Sequence, residues 1–270
     1  MSELAYESAR RVTEHASVVL AANPGLMTLD GTNTWILREP GSSTAIVVDP
    51  GPDDELHLAA VRAEAGHVAA ILLTHGHSDH SAGARHLAEL TGAGVRALDP
   101  FHRLGDEGLG EGDVVAAAGV ELRVWATPGH SSDSLSFLLG SAVTSTAGSV
   151  LTGDTILGRG TTVVAYPDGD LGSYLDSLRR LEQLGQATVL PGHGPELAAA
   201  GAVATAYLAH REQRLRQVRA AVTELGPDVD AAAVVERVYA DVDRALWPAA
   251  TLSVRAQLAY LRSRAADGER

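Results

Sequence analysis

The sequence predicts an α/β fold with mixed sheets, followed by a helical C-terminal segment. Three observations predict it. Short apolar runs alternate with turns and helical stretches as far as residue 195. Some neighbouring runs are joined like hairpins and others are separated by helices, so parallel and antiparallel pairs both occur. Beyond residue 195 the strand signal fades and helical spacing takes over.

Taken in order, residues 17–21 and 34–37 read as strands joined by a loop rich in Asn, Pro and Gly. Residues 44–48 form the next strand, ending in Asp49-Pro50-Gly51-Pro52. Asp53 is placed to N-cap a helix with Leu56, Ala59, Ala60 and Ala63 on its apolar face. A strand over 68–73 and a helix over 82–90 follow. Residues 95–98, 120–125, 135–139, 149–151 and 188–190 read as strands, with a helix over 171–184 between the last two. Helices near 196–224, 229–240 and 249–265 complete the chain, separated by Gly226-Pro227 and Trp247-Pro248. The expected division is a catalytic domain over 1–195 and a helical domain over 196–270.

At 270 residues the chain accommodates one large domain or a main domain with an appendage. The net charge is −13, all of it in residues 1–195; residues 196–270 hold 10 Arg and 10 acidic residues. Such acidity argues against tight, extended nucleic-acid binding and against a DNA duplex as partner. Every basic residue is Arg. With no cysteine, disulfides and thiolate metal ligands are excluded. The first seven residues are acidic and lack the apolar core of a signal peptide. No apolar stretch reaches the ~20 residues that span a bilayer. A cytoplasmic protein without a membrane partner is expected; the oligomeric state is left open.

The chemistry is concentrated in residues 73–80, Leu-Thr-His-Gly-His-Ser-Asp-His. His75, His77, Asp79 and His80 follow an apolar run, so they stand where a buried strand meets its loop. Imidazole and carboxylate are the usual ligands of zinc. Three later strand ends repeat the pattern: Thr127-Pro128-Gly129-His130, Thr152-Gly153-Asp154 and Pro191-Gly192-His193. Val47-Val48-Asp49 adds a carboxylate in a similar place. The C-terminal ends of strands are where α/β sheets build their sites.

This ordered set resembles the metallo-β-lactamase superfamily over about residues 15–195. The resemblance implies an αββα sandwich with a binuclear metal site along one edge. It implies that His75, His77 and His130 hold one ion, that Asp79, His80 and His193 hold the second, and that Asp154 bridges them. Asp49 matches an aspartate that orients the ligands. Two divalent ions are implied, zinc first and iron or manganese as alternatives, with a shared hydroxide as nucleophile and Asp79 as its proton acceptor.

Further blocks resemble the β-lactamase-like protein 2 family: Gly31-Thr32-Asn33-Thr34-Trp35, Gly160-Thr161-Thr162-Val163, Asp170-Leu171-Gly172-Ser173-Tyr174 and His210-Arg211-Glu212-Gln213-Arg214. That family implies a winged-helix-like C-terminal domain beside the metal edge and hydrolase activity, in some members on single-stranded RNA. A phosphodiester in single-stranded RNA is the preferred substrate class. A small ester or thioester is the alternative, as in the hydroxyacylglutathione thioesterases of the glyoxalase II branch. A persulfide dioxygenase and a non-catalytic metal protein complete the options. Arg159, Thr161, His210, Arg211 and Arg214 are candidate substrate contacts, with Arg216 and Arg219 extending the basic helix toward phosphates. Ser131, Ser132 and Asp133 read as turn caps. His86 reads as a surface or supporting residue, and His15, His57, His67 and His102 as ordinary histidines.

Overall fold

The computed structural model describes residues 5–140 and 148–266; the first four residues of the N-terminal segment lie outside them. Two sheets face each other. The first has the order β1-β2-β3-β4-β5-β6, from β1 (Ala9–Arg11), β2 (Ala16–Leu20), β3 (Asn33–Leu37), β4 (Thr44–Val48), β5 (His67–Leu72) and β6 (Val95–Arg96). The second has the order β11-β10-β9-β8-β7, from β7 (Val114–Ala117), β8 (Val120–Ala126), β9 (Leu135–Leu139), β10 (Ser149–Gly153) and β11 (Thr188–Pro191). Both are mixed: β4-β5, β5-β6 and β10-β11 run parallel and the other neighbours antiparallel.

Period-2 alternation builds the layers. Trp35, Leu37, Ile46 and Val48 point inward to meet Leu122, Val124, Phe137 and Leu151 of the facing sheet. Ile36, Val47 and Ile71 point outward under Leu58 and Val61 of α1 (Glu55–Ala65) and Leu87 of α3 (Ala84–Thr91). On the far side Leu138, Val150 and Val189 pack under α4 (Leu171–Glu182) and the first half of α5 (Ala200–Leu225). With both faces of each sheet covered, central strands read as unbroken apolar runs. The result is the αββα sandwich that the resemblance implies.

Five details differ from the sequence reading. The cap of α1 is Asp54, whose carboxylate accepts from Leu56 N and His57 N. The buried face of α1 is His57, Leu58, Val61 and Ala65, while Leu56 is 74% exposed; a histidine in a core position hid the true stripe. The helix after the motif is interrupted: α2 (Ser78–Ser81) ends before Gly83, and α3 begins after it. A Cβ on Gly83 would stand 2.8 Å from the Pro52 carbonyl. Trp247-Pro248 opens a helix, α7 (Trp247–Ala266), rather than separating two; proline in a first turn lacks only an N–H that has no helical partner. Strands β1 and β7, neither expected, complete the sheets at their ends.

After β11 the regular elements among the described residues are helices. Helix α5 belongs to two cores. Ala200, Ala204 and Tyr207 join the sheet-facing cluster. Val218 and Ala221 pack with Val234 and Val235 of α6 (Ala231–Val238) and with Val254 and Leu258 of α7. Among the described residues no helix is long and apolar enough to cross a membrane.

Candidate metal centre

Five strand ends converge on one edge of the sandwich. Strand β4 delivers Asp49, β5 the loop with His75, His77, Asp79 and His80, β8 the turn to His130, β10 Asp154 and β11 His193. Glycine makes the approach possible at two points. Gly192 lets β11 pass the centre, since a Cβ there would stand 2.6 Å from Asp154 Oδ1 and from His80 Cε1. Gly153 takes φ +48°, and a Cβ would meet Thr74 Oγ1 at 2.5 Å.

The facing nitrogens are close. His75 Nε2 and His130 Nε2 each lie 3.0 Å from His77 Nδ1. His80 Nε2 lies 3.2 Å from His193 Nε2, and Asp79 Oδ2 lies 3.1 Å from the same atom. Asp154 stands between the groups: Oδ1 is 3.4 Å from His80 Nε2, and Oδ2 is 3.4 Å from His193 Nε2 and 3.7 Å from His130 Nε2. Three sets could hold an ion: His75-His77-His130, His75-His80-Asp154 and Asp79-His80-His193.

The outward atoms decide how the rings are presented. His130 Nδ1 donates to the Val163 carbonyl at 2.8 Å, and His193 Nδ1 to the Gly31 carbonyl at 3.0 Å. A carbonyl only accepts, so each Nδ1 carries a proton and each Nε2 is the atom turned inward to serve as a ligand. Asp49 does the same for the other side. Its carboxylate accepts from Thr74 N and Thr74 Oγ1 and lies 2.9 Å from His80 Nδ1. Thr74 Oγ1 then meets His75 Nδ1 at 3.0 Å. Asp49 itself takes φ +53°, an uncommon backbone state for a residue other than glycine. Thr34 Oγ1 holds it by donating to its carbonyl, and Asn33 Nδ2 clamps the β11 loop through the Pro191 and Gly194 carbonyls.

Charge and burial shape the cluster. Burial and the neighbouring rings push His75 well below the usual imidazole range, and burial lowers His130 as well. Burial opposes the charge of Asp154, yet His193 and His80 hold its carboxyl well below the usual range. Burial also opposes charge on His193, but Asp154 and Asp79 raise it to about 9. Asp154 and Asp49 likewise raise His80 well above its ordinary value. Without an ion, protons on His80 and His193 thus offset the carboxylates, and loading a cation displaces them. The donors fit a divalent metal: inward imidazole lone pairs, two carboxylates, and one buried oxygen, Asp154 Oδ1, without a hydrogen-bond partner.

Other residues singled out in the sequence lie around this edge. Thr162 Oγ1 meets His130 Nδ1 at 3.1 Å, and Thr161 lines the adjoining cavity. Arg211 is buried, bonds the Thr162 carbonyl and stacks 5.0 Å over Tyr174. Arg214 stacks 4.6 Å over Tyr239 and, with His210, lines the same cavity. Arg159 is paired with Asp30, Nη2 to Oδ1 at 2.8 Å, away from that cavity. Arg216 and Arg219 are exposed; at about 100° per residue they lie roughly 140° or more around α5 from Arg214. Ser131 Oγ donates to Asp133, and Ser132 Oγ to Asp168, as turn caps do. His57 is fully buried between Glu7 and Thr34, which ties it to the Asp49 support. His86 pairs with Asp53 at the surface.

Residues 27–193 match the metallo-β-lactamase superfamily model. The chain belongs to the metallo-β-lactamase superfamily. Residues 231–264 match the β-lactamase-associated winged helix domain, so the helical C-terminal segment carries that family's second domain. The β-lactamase-like protein 2 homolog of Caenorhabditis elegans is 30% identical over 94% of this chain and 86% of its own length, which bears out the finer resemblance. The atrochrysone carboxyl ACP thioesterase of Aspergillus fumigatus is 35% identical over 77% of this chain and 64% of its own. A crystal structure of a β-lactamase domain protein from Burkholderia ambifaria shares the fold, with TM-score 0.78 and 23% identity over 97% of this chain and 91% of that one. The fold and donor set are those of a metal-dependent hydrolase.

Proposed function

We propose that this protein is a binuclear metal-dependent hydrolase, with zinc as the first expectation, acting on a carboxylic ester or thioester. The observation that carries the binuclear reading is the Asp154 carboxylate, which reaches His130 on one side and His80 and His193 on the other. His75, His77 and His130 would hold one ion, Asp79, His80 and His193 the other, with Asp154 common to both. When bound, such ions acidify water and neutralise charge that develops on the scissile group. The chain's own residues do the rest. Asp49, Thr74 and the Val163 and Gly31 carbonyls orient the imidazoles. Asp79, 27% exposed at the side chain, accepts a proton from attacking water and returns it to the leaving group.

The surroundings support an ester or thioester over the phosphodiester preferred from sequence. The adjoining cavity is largely apolar, with Arg211 and Arg214 as its arginines; Arg159 is paired with Asp30, and Arg216 and Arg219 face elsewhere. Single-stranded RNA sites need a cationic track with stacking platforms. The thioesterase named among the relatives agrees with this choice. Zinc-loaded protein assayed side by side on a single-stranded RNA, S-lactoylglutathione and simple acyl thioesters tests it. Thioester turnover is expected; cleavage of RNA alone overturns the substrate class. One iron per chain by elemental analysis overturns the binuclear zinc reading.

A further inference from the structure

A cavity of about 540 Å³ lies between the loop after β10 and the C-terminal helices. Leu26 and Met27 line one side of it, Val242, Leu246 and Leu252 the other. Leu26, Met27 and Leu246 are exposed to water, and clustered apolar exposure marks a place that something apolar covers. Thr162 and Val163 join this cavity to the metal centre: both line it, and both bond His130 Nδ1. An occupant therefore lies one residue away from the ligand set, on the outer side of His130. Its polar end is made by His210, Arg211 and Arg214. Arg211 is buried, yet its Nε has no hydrogen-bond partner, and neither does His210 Nδ1. Guanidinium Nε–H only donates, so that atom lacks an acceptor.

We infer that this cavity receives the apolar acyl or aryl part of the substrate, with a substrate oxygen accepting from Arg211 Nε at the His210–Arg211 end. The inference rests on the ester or thioester reading above and names its substrate class. The volume is that of a small-molecule site, which typically encloses about 300–1,000 Å³.

The test is a series of N-acetylcysteamine thioesters from acetyl to decanoyl, turned over by the zinc-loaded protein. kcat/KM should rise roughly fourfold per methylene until the cavity is filled. Ala249→Phe occupies the cavity from α7. Ala245→Phe does so from an exposed position, where folding is not at stake. Each should reduce the decanoyl-to-acetyl ratio of kcat/KM by about fifteenfold, the equivalent of two methylenes. A flat wild-type series, or a gradient that survives both variants, overturns the inference. Calorimetric binding of decanoate separates it from the reaction class. If no thioester is hydrolysed but decanoate binds the wild type and not Ala249→Phe, the cavity assignment stands and the thioesterase reading falls. If decanoate does not bind, the cavity assignment falls.

Discussion

The metal centre and the cavity beside it share Thr162 and Val163, yet they are built in opposite ways. At the centre most polar atoms are engaged: outward imidazole nitrogens have fixed acceptors, and Asp49 is held through both its carboxylate and its carbonyl. The cavity has exposed leucine and methionine side chains and buried nitrogens without partners. Its walls come from the loop near residue 26, the loop after β10, helices α5 and α7, and the segment between α6 and α7. A preorganised edge suits chemistry that must not vary, because reorganisation during reaction weakens electrostatic stabilisation. An apolar wall supplied by helices suits selection, because it contributes in proportion to the area that a ligand covers.

Substitutions can break this contrast, and the largest effect belongs to the centre. Asp154→Ala removes the carboxylate that the proposed ion sites share; hydrolysis should fall about a thousandfold or more, and elemental analysis should find both ions depleted. Retained activity with metal lost would end the binuclear reading. Asp49→Asn keeps the shape but weakens the hold on His80 and Thr74. Metal affinity should drop about 10–100-fold in chelator competition, while thermal unfolding of the metal-free protein changes little by comparison.

Arg211→Met touches the seam between the two regions. It deletes a charged hydrogen bond to the Thr162 carbonyl, so stability should fall by about 1.5–3 kcal/mol in denaturant titration. Metal content should stay near the wild-type value if the seam acts mainly on the cavity side. The smallest effect is expected of Arg216→Ala with Arg219→Ala. Because both face away from Arg214, thioester kcat/KM should stay within about twofold, as usual for changes at exposed sites without fixed partners. A large, salt-dependent loss of RNA affinity in this double variant would instead place a polyanion on α5.

Much of the centre was legible before the fold. Each of His130, Asp154 and His193 follows an apolar run and a glycine, so the sequence marks it as lying at a strand end. Its support was less legible. The Gly31 and Val163 carbonyls that fix two tautomers are backbone atoms with no sequence signature. Thr74 is within the motif, but its role depends on Asp49 arriving from a parallel strand. His57 read as ordinary because its partners, Glu7 and Thr34, are distant in the chain. The α1 stripe was misread for the same reason: a buried polar residue interrupts a pattern that assumes apolar burial.

By itself, then, the sequence carried the resemblance to the superfamily, the layered α/β architecture and the candidate metal-binding side chains, because their marks are local: period-2 runs, glycine at strand ends, and His/Asp at fixed offsets. Only the tertiary structure decided which arginines are free to meet a substrate. Arg211 and Arg214 lie in one block with Arg216 and Arg219, but helix geometry turns the first pair inward and the second outward. A side chain's charge is local information, whereas its partners depend on which surfaces the fold brings against it.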